Sequence, residues 1–291
     1  MANVSVSIIV PTGRPEKASR TLYSVASQKT DISYEILASG KGSTQLSLLE
    51  IPNLEILESS HRLNPAQARN LAAKQAKGDY LFFVDDDCET PPNWIEANLA
   101  ALQEDPRIGV VSGIVRGASE KYLSVCVDYT IFWAQQGNQR ESRQWLYSAT
   151  LGVRRKCFEE VGGFDEDLRV GEDVVFSLKA FQQGYACIFD PRIIVIHHHG
   201  RDSMLKFLKY LYDSGSNSVE YVSKYQLKHN LDKFGVKAML WSSFNRTRHV
   251  VMSNRRIRPA VLLYTPGIFL GYLVYHLGLM RGVKMGSPKT F

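Results

Sequence analysis

Three consecutive carboxylates, Asp85, Asp86 and Asp87, close a stretch from Gly78 whose interior, Tyr80-Leu81-Phe82-Phe83-Val84, carries no charge. Such a run of β-formers reads as a buried strand, and it delivers three like charges to one strand end. Adjacent carboxylates repel one another, so their neutralisation by a cation is the chemistry this spacing suggests. Ligands that are all oxygen favour Mg²⁺ or Mn²⁺, ions that usually share their coordination shell with phosphates. A solvated acidic turn is the plainer alternative. A second acidic pair, Glu172-Asp173, follows Gly171 at an expected helix start, where capping and the helix dipole alone would account for it.

These groups need a scaffold, and the chain pattern supplies one. Val4 to Val10 alternates and then runs apolar into Pro11-Thr12-Gly13, a first strand ending in a turn. A helix is expected from about Pro15 to Gln28, with proline in its first turn. Glu35 to Ala38 and Leu54 to Leu57 read as short strands. Asn64-Pro65 opens a helix through Lys77, with Gly78 just past its end. Beyond the aspartates, a helix from Pro91 to about Asp105 precedes strand character at 108–111, 114–115 and 149–153. Residues 154–161 form a short helix stopped by Gly162-Gly163. A helix over 172–183 turns Val175, Leu178 and Phe181 inward. Two strands, 185–189 and 193–196, lead into His197-His198-His199. Gly117 to Trp145 is polar and aromatic with weak periodicity, and is assigned as a mobile flap or acceptor-side surface. Strands alternating with helices at this spacing predict βαβ units and an α/β fold with a mostly parallel sheet. Ligands of such sheets bind beyond the carboxyl ends of the strands, where the aspartates lie.

At 291 residues, 44% apolar and 22% charged, the chain is long enough to bury a sizeable core. Its four cysteines lie far apart with no CxxC pair, so neither a disulfide framework nor a zinc site is indicated. Met1 to Ser5 lacks the basic start of a signal peptide, and a cytoplasmic location is expected. The net charge of +6 is unevenly spread: residues 201–291 hold 15 Lys and Arg against 4 Asp and Glu, and residues 1–200 hold 20 against 25. Such a basic tail suits nucleic acid, anionic lipid or an anionic acceptor alike. Within it, Ser203 to about Asp213 reads as a helix. Pro259 to Met280 is a run of 22 residues without Asp, Glu, Lys or Arg, bracketed by Arg255, Arg256 and Arg258 and by Arg281 and Lys284. That length matches a bilayer span, while Pro266, His276, three glycines and three tyrosines suit a packed helical hairpin or a shallow membrane segment.

Taken in order, the motifs resemble those of the family 2 glycosyltransferases of the GT-A fold. The resemblance covers nearly all of residues 4–200: the first strand with Pro11 and Thr12, Ala68-Arg69-Asn70, Gly78-Asp79-Tyr80 leading to the Asp-x-Asp of Asp85 and Asp87, Gly162-Gly163-Phe164, Glu172-Asp173, and a histidine after the last strand. It implies a GT-A (Rossmann-like) catalytic domain over 1–200 with a helical, basic region over 201–291. It implies inverting transfer of a sugar from a nucleotide-sugar donor to an acceptor hydroxyl, with Mn²⁺ or Mg²⁺ neutralising the leaving diphosphate. Asp87 is then the first metal ligand, with Asp85 reaching the metal or the donor ribose, Asp86 in the variable middle position, and His197 completing the site. Asp173 is the implied general base and Glu172 orients the acceptor or its loop. Pro11, Thr12 and Arg69 are implied at the donor. The basic tail with its uncharged run adds the expectation of an anionic membrane surface at the inner, cytoplasmic face, and the expected setting is cell-surface polysaccharide or glycolipid synthesis with a sugar or lipid-linked acceptor and no nucleic acid.

One segment departs from the family pattern. Relatives usually read Val-Asp-Asp-Gly-Ser after the second strand, and one of those aspartates holds the donor base. Here the residues are Ala38-Ser39-Gly40-Lys41-Gly42-Ser43. The base is then not that of a uridine nucleotide, or Ser39 and backbone groups read it. An inactive nucleotide-sugar-binding module and a nucleotidyltransferase remain as alternatives, although a nucleotidyltransferase has no need of the Glu172-Asp173 base.

Overall fold

In a computed structural model, residues 4–201, 203–226, 236–254 and 259–285 are described. Met1 to Asn3, and Arg255, Arg256 and Arg258 of the expected bracket, lie outside them. The chain divides into two compact units: one runs to Arg116 and resumes over Gln139–His198, and the other combines Gly117–Asn138 with the chain from His199 onward.

In the first unit, β1 (Val6–Pro11), β2 (Tyr34–Gly40), β3 (Leu54–Glu58) and β4 (Tyr80–Val84) make a parallel block in the order β3-β2-β1-β4. Helices α1 (Ser19–Ala26) and α2 (Pro65–Gln75) belong to its crossovers. Outward from β4 the direction changes. β8 (Thr150–Arg154) pairs antiparallel with β4, β6 (Ile108–Gly117) with β8, and the short β5 (Cys88–Glu89) and β7 (Glu141–Ser142) with β9 (Ala186–His197). The sheet is therefore mixed, and the mostly parallel arrangement holds only for its first half. Strand–helix alternation does not encode direction where, as between β6 and β8, the chain returns by a long excursion rather than one crossover helix. Residues 185–196, read as two strands, form the single strand β9.

Local chemistry explains the parallel block. Ser7 interrupts an otherwise apolar strand, is fully buried, and donates to Glu35 Oε1 (2.7 Å) while accepting from Gly78 N–H (2.8 Å). Asn64 caps α2 with a capping box to Gln67. Gly78 is not the residue past that helix, which ends at Gln75. Its role is close approach to β1, since a Cβ there would lie 2.7 Å from Ser7 N. α6 (Glu172–Gln182) buries Val174, Val175, Phe176 and Ala180, whereas Phe181, expected inward, is exposed. The inner face is rotated because Phe176 joins Phe83, Phe158 and Phe164 in an aromatic cluster, with Phe164 5.1 Å from Phe83 and 5.0 Å from Phe176 between ring centres. α3 (Trp94–Gln103) and α5 (Arg155–Val161) are the unit's other α-helices among the described residues, beside short 3-10 turns at Pro15–Lys17 and Ser43–Leu49.

The second unit is helical. Residues 122–130 of the expected flap form α4 (Tyr122–Thr130), which buries Cys126, Val127 and Tyr129 against α7 (Met204–Lys224) and α9 (Val261–Met285). α8 (Val236–Asn254), which the sequence pattern did not reveal, packs on α9. Glycines let α7 and α9 meet backbone to backbone: a Cβ at Gly278 would sit 2.0 Å from Tyr212 O, and one at Gly215 would sit 1.9 Å from Tyr275 O. His276, the polar residue in the uncharged stretch, is buried and bonded to the hydroxyls of Ser242 (3.0 Å) and Ser243 (2.9 Å) on α8. The uncharged stretch is thus one continuous helix, with Pro266 inside it, whose glycine face packs within the unit.

Candidate active site

β4 is buried from Leu81 to Val84 and brings the three aspartates out at its carboxyl end, where Asp85 pairs with Arg69 while Asp86 and Asp87 share Arg14. Asp85 accepts from Arg69 Nη2 at 2.7 Å. Asp86, 5% exposed, accepts from Arg14 N at 2.9 Å and Arg14 Nη2 at 2.8 Å. Asp87 accepts from Arg14 Nη2 at 2.7 Å on one oxygen and lies 2.9 Å from His197 Nε2 on the other. Because β1 lies beside β4, the turn after β1 reaches the acidic turn, and Arg14 acts as its counter-ion. Burial pulls the Arg14 guanidinium pKa down, but Asp86 and Asp87 more than offset it and raise it. Burial likewise pushes the Asp87 carboxyl up, while His197 and Arg14 prevail and hold it below the usual carboxylate range. At Asp86 burial prevails over Arg14, and the carboxyl is raised.

Arg69 links the two acidic pairs. It is 3% exposed, with Nη2 on Asp85 and Nη1 on Glu172 Oε1 at 2.6 Å, and its Nε is buried without a hydrogen-bond partner. Its neighbours fix it in place. The Ala68 carbonyl accepts from Ser39 Oγ (2.7 Å), and the Asn70 amide brackets Phe164, donating to its carbonyl (2.8 Å) and accepting from its N–H (3.0 Å). Gly163, at φ +74°, makes that turn, and a side chain there would clash with Asn70. Ala68-Arg69-Asn70 and Gly162-Gly163-Phe164 are therefore two halves of one support. Burial and the neighbouring Asp173 push the Glu172 carboxyl up to about 7 against the pull of Arg69. Burial also raises Asp173, which accepts from Ser148 N (2.8 Å) and Oγ (3.0 Å) and stays partly exposed.

The expected donor residues take other positions than a direct reading implies. Pro11, Thr12 and Ser39 are buried. Thr12 pairs with the Ser43 hydroxyl, and Ser39 spends its hydrogen on Ala68. The segment that lacks the usual aspartates is held instead by Glu58, whose carboxylate accepts from Gly42 N (2.6 Å), Thr44 N (2.7 Å) and Thr44 Oγ1 (2.8 Å). The three histidines part company. His197 faces Asp87, His198 lies between Arg20 Nη1 (2.7 Å) and Glu89 (3.2 Å), and His199 faces Asp128 at 3.5 Å. Arg14, Arg20 and Glu58 escaped the sequence reading. A cleft of about 430 Å³ opens at Asp87 and His198, bordered by Lys17 and Arg20. Asp87 and His197 offer oxygen and nitrogen donors within 4.8 Å of each other, beside Cys88. Burial, with Asp85 and Asp87 nearby, raises the Cys88 thiol well above its usual pKa, while a carboxylate oxygen with an imidazole nitrogen is a donor set that suits Mn²⁺. The Asp85 carboxylate turns to Arg69.

The model for glycosyl transferase family 2 matches residues 7–161. The chain belongs to this family. The O-antigen biosynthesis protein RfbC of Myxococcus xanthus is 32% identical over 219 residues, 66% of this chain and 17% of RfbC. The glycosyltransferase AglE of Haloferax volcanii is 30% identical over 203 residues, 66% of each chain. The chain thus spans less than a fifth of RfbC and about two thirds of AglE. Among solved structures, the mannosyltransferase PcManGT from Pyrobaculum calidifontis, in complex with GDP-Man and Mn²⁺, superposes with a TM-score of 0.59 at 17% identity, covering 97% of this chain and 76% of that one. TarS 1-349 of S. aureus gives 0.54 at 16% identity, covering 99% and 93%. The fold is GT-A, a family 2 glycosyltransferase architecture with a mixed sheet.

Proposed function

We propose that the chain is an inverting, metal-dependent hexosyltransferase that moves a sugar from a nucleoside-diphosphate sugar to an acceptor hydroxyl. The observation that carries this reading is the Asp85–Arg69–Glu172 chain of ion pairs, which ties a carboxyl-rich strand end to a second carboxylate pair. One pair serves the donor and the other the acceptor. That PcManGT is solved with GDP-Man and Mn²⁺, and TarS with UDP-GlcNAc, supports a nucleotide-sugar donor.

Asp87 and His197 would hold the divalent cation, with Asp85 at the edge of its shell. Bound there, the ion supplies Lewis-acid compensation of the leaving diphosphate. Lys17, Arg20 and Arg14 add fixed positive charge around the cleft at Asp87. Asp173, partly exposed and oriented by Ser148, takes the acceptor hydroxyl proton. The acceptor oxygen bonds to the anomeric carbon from the face opposite the diphosphate, which leaves with the electron pair of the broken C–O bond. Glu172, buried on Arg69, positions Asp173 and does not meet the acceptor. With the Ser39 hydroxyl committed to Ala68, the donor base is read by backbone groups of the 39–44 segment. The acceptor is a sugar or a lipid-linked sugar at the inner, cytoplasmic face of the membrane, in the synthesis of surface polysaccharide or glycolipid.

Asp173→Asn tests the base. The amide still accepts from Ser148 and takes no proton, so donor affinity should persist while turnover falls by about 10² to 10⁴. Near wild-type turnover would remove Asp173 from the chemistry.

A further inference from the structure

We propose that the outward face of α8 docks on an anionic lipid bilayer, an inference that rests on the membrane part of the reading above and names the surface responsible. Lys237, Trp241, Phe244, Arg248 and Met252 recur every three or four residues, so they form one stripe along the helix. Trp241 is 67% exposed, Phe244 52%, Met252 46% and the adjacent Leu240 44%, while Lys237 and Arg248 are also exposed. The Trp241 and Phe244 rings lie 6.2 Å apart and near parallel, presenting one apolar slab to the outside. The opposite face is committed inward: Ser243, Thr247, Val250 and Val251 are buried, and Ser242 and Ser243 hold His276 of α9. The apolar stripe is therefore not left over from a loosely packed helix.

Charge selects the occupant. α8 carries Lys237, Arg246 and Arg248 and no Asp or Glu, and the four residues that follow it in sequence include three arginines. Exposed aromatic and aliphatic side chains on a helix whose own charged residues are all cations make the pattern of a helix lying in the plane of an anionic membrane surface, with rings at the acyl boundary and cations at the phosphates. A second copy of the chain is a poor fit, because a two-fold contact through this face would bring like charges together. α9, whose charges are confined to Arg281 and Lys284 in its last turns, is less suited to the role, since its glycine face is occupied by α7.

Co-sedimentation of the full chain with phosphatidylcholine vesicles, with and without phosphatidylglycerol and at low and high salt, tests this. Wild-type protein should bind the phosphatidylglycerol vesicles, and more weakly as salt rises. Each cation near such a surface is worth about a fivefold change in partition, so Lys237→Glu with Arg248→Glu should lower binding more than about tenfold. Trp241→Ser with Phe244→Ser should also lose binding, with salt dependence retained. Donor-induced thermal stabilisation, measured on the same samples, should match wild type in both variants. Wild-type protein that ignores the vesicles, variants that bind as wild type does, or a dimer dispersed by the same substitutions would each overturn the proposal. Vesicle binding without any donor response would instead count against the transferase reading and leave the docking surface standing.

Discussion

Arg69 is surrounded by more negative charge than it can neutralise, and that excess governs the site. Its guanidinium pairs with Asp85 and Glu172 while Asp173 adds a further carboxylate, so burial and that repulsion raise the Glu172 carboxyl despite Arg69. The sign of the consequence is fixed. Glu172 has an ordinary value of 4.5 in the unfolded chain and about 7 in the folded one, so the folded state binds the extra proton between these limits. Its contribution to stability is full below about 4.5 and is lost as pH rises through about 7. Melting temperature followed across that window should fall less steeply in Glu172→Gln than in the wild type. The decline should not vanish, because Asp173 is raised too. An unchanged slope would mean that Glu172 is ionised throughout. Among site residues, the aspartates were legible because three carboxylates ending an uncharged strand are conspicuous. Arg14 was not, since its partners lie 72 and 73 residues away and only the β1–β4 pairing brings the two turns together.

Elements differ in how plainly their sequences announce them. β4 is buried on both faces and reads as a continuous uncharged run, and β1 does so apart from the buried Ser7. α8 went unseen because its inner face is built partly from hydroxyl and amide residues that satisfy themselves within the helix. Thr247 Oγ1 donates to Ser243 O (2.8 Å), and Asn254 Nδ2 to Val250 O (2.9 Å), which hides the apolar period. α9 shows the converse: its length and lack of charge fit a bilayer span, yet its glycines are spaced for contact with α4 and α7. That contact makes a prediction. Gly278→Ala places a methyl group against the Tyr212 carbonyl and should destabilise the protein by about 1–3 kcal/mol, seen as a lower melting temperature. If α9 left α7 to cross a bilayer, the substitution would cost almost nothing in detergent or lipid.

On the scale of the whole chain, the two units carry different kinds of group. The first supplies the carboxylates, the arginines and the strand ends that hold them. The second, all helices among its described residues, supplies the basic, apolar surface. The order of the motifs revealed the first unit from the sequence. The second was legible only as charge and hydrophobicity, which left a bilayer span, a shallow membrane segment and a packed helical hairpin all open; α9 packs on α4, α7 and α8. The central claim is that Asp87, through a divalent cation, holds a nucleotide-sugar diphosphate. The direct measurement is a panel of nucleoside-diphosphate sugars screened by thermal shift, with Mn²⁺ or with EDTA, on wild type and on Asp87→Ala. A ligand that binds the native state alone raises its melting temperature. At least one sugar nucleotide should stabilise the wild type in Mn²⁺ only, and the stabilisation should disappear in Asp87→Ala. Stabilisation that persists in EDTA or in Asp87→Ala, or a panel without any response in Mn²⁺, would contradict it.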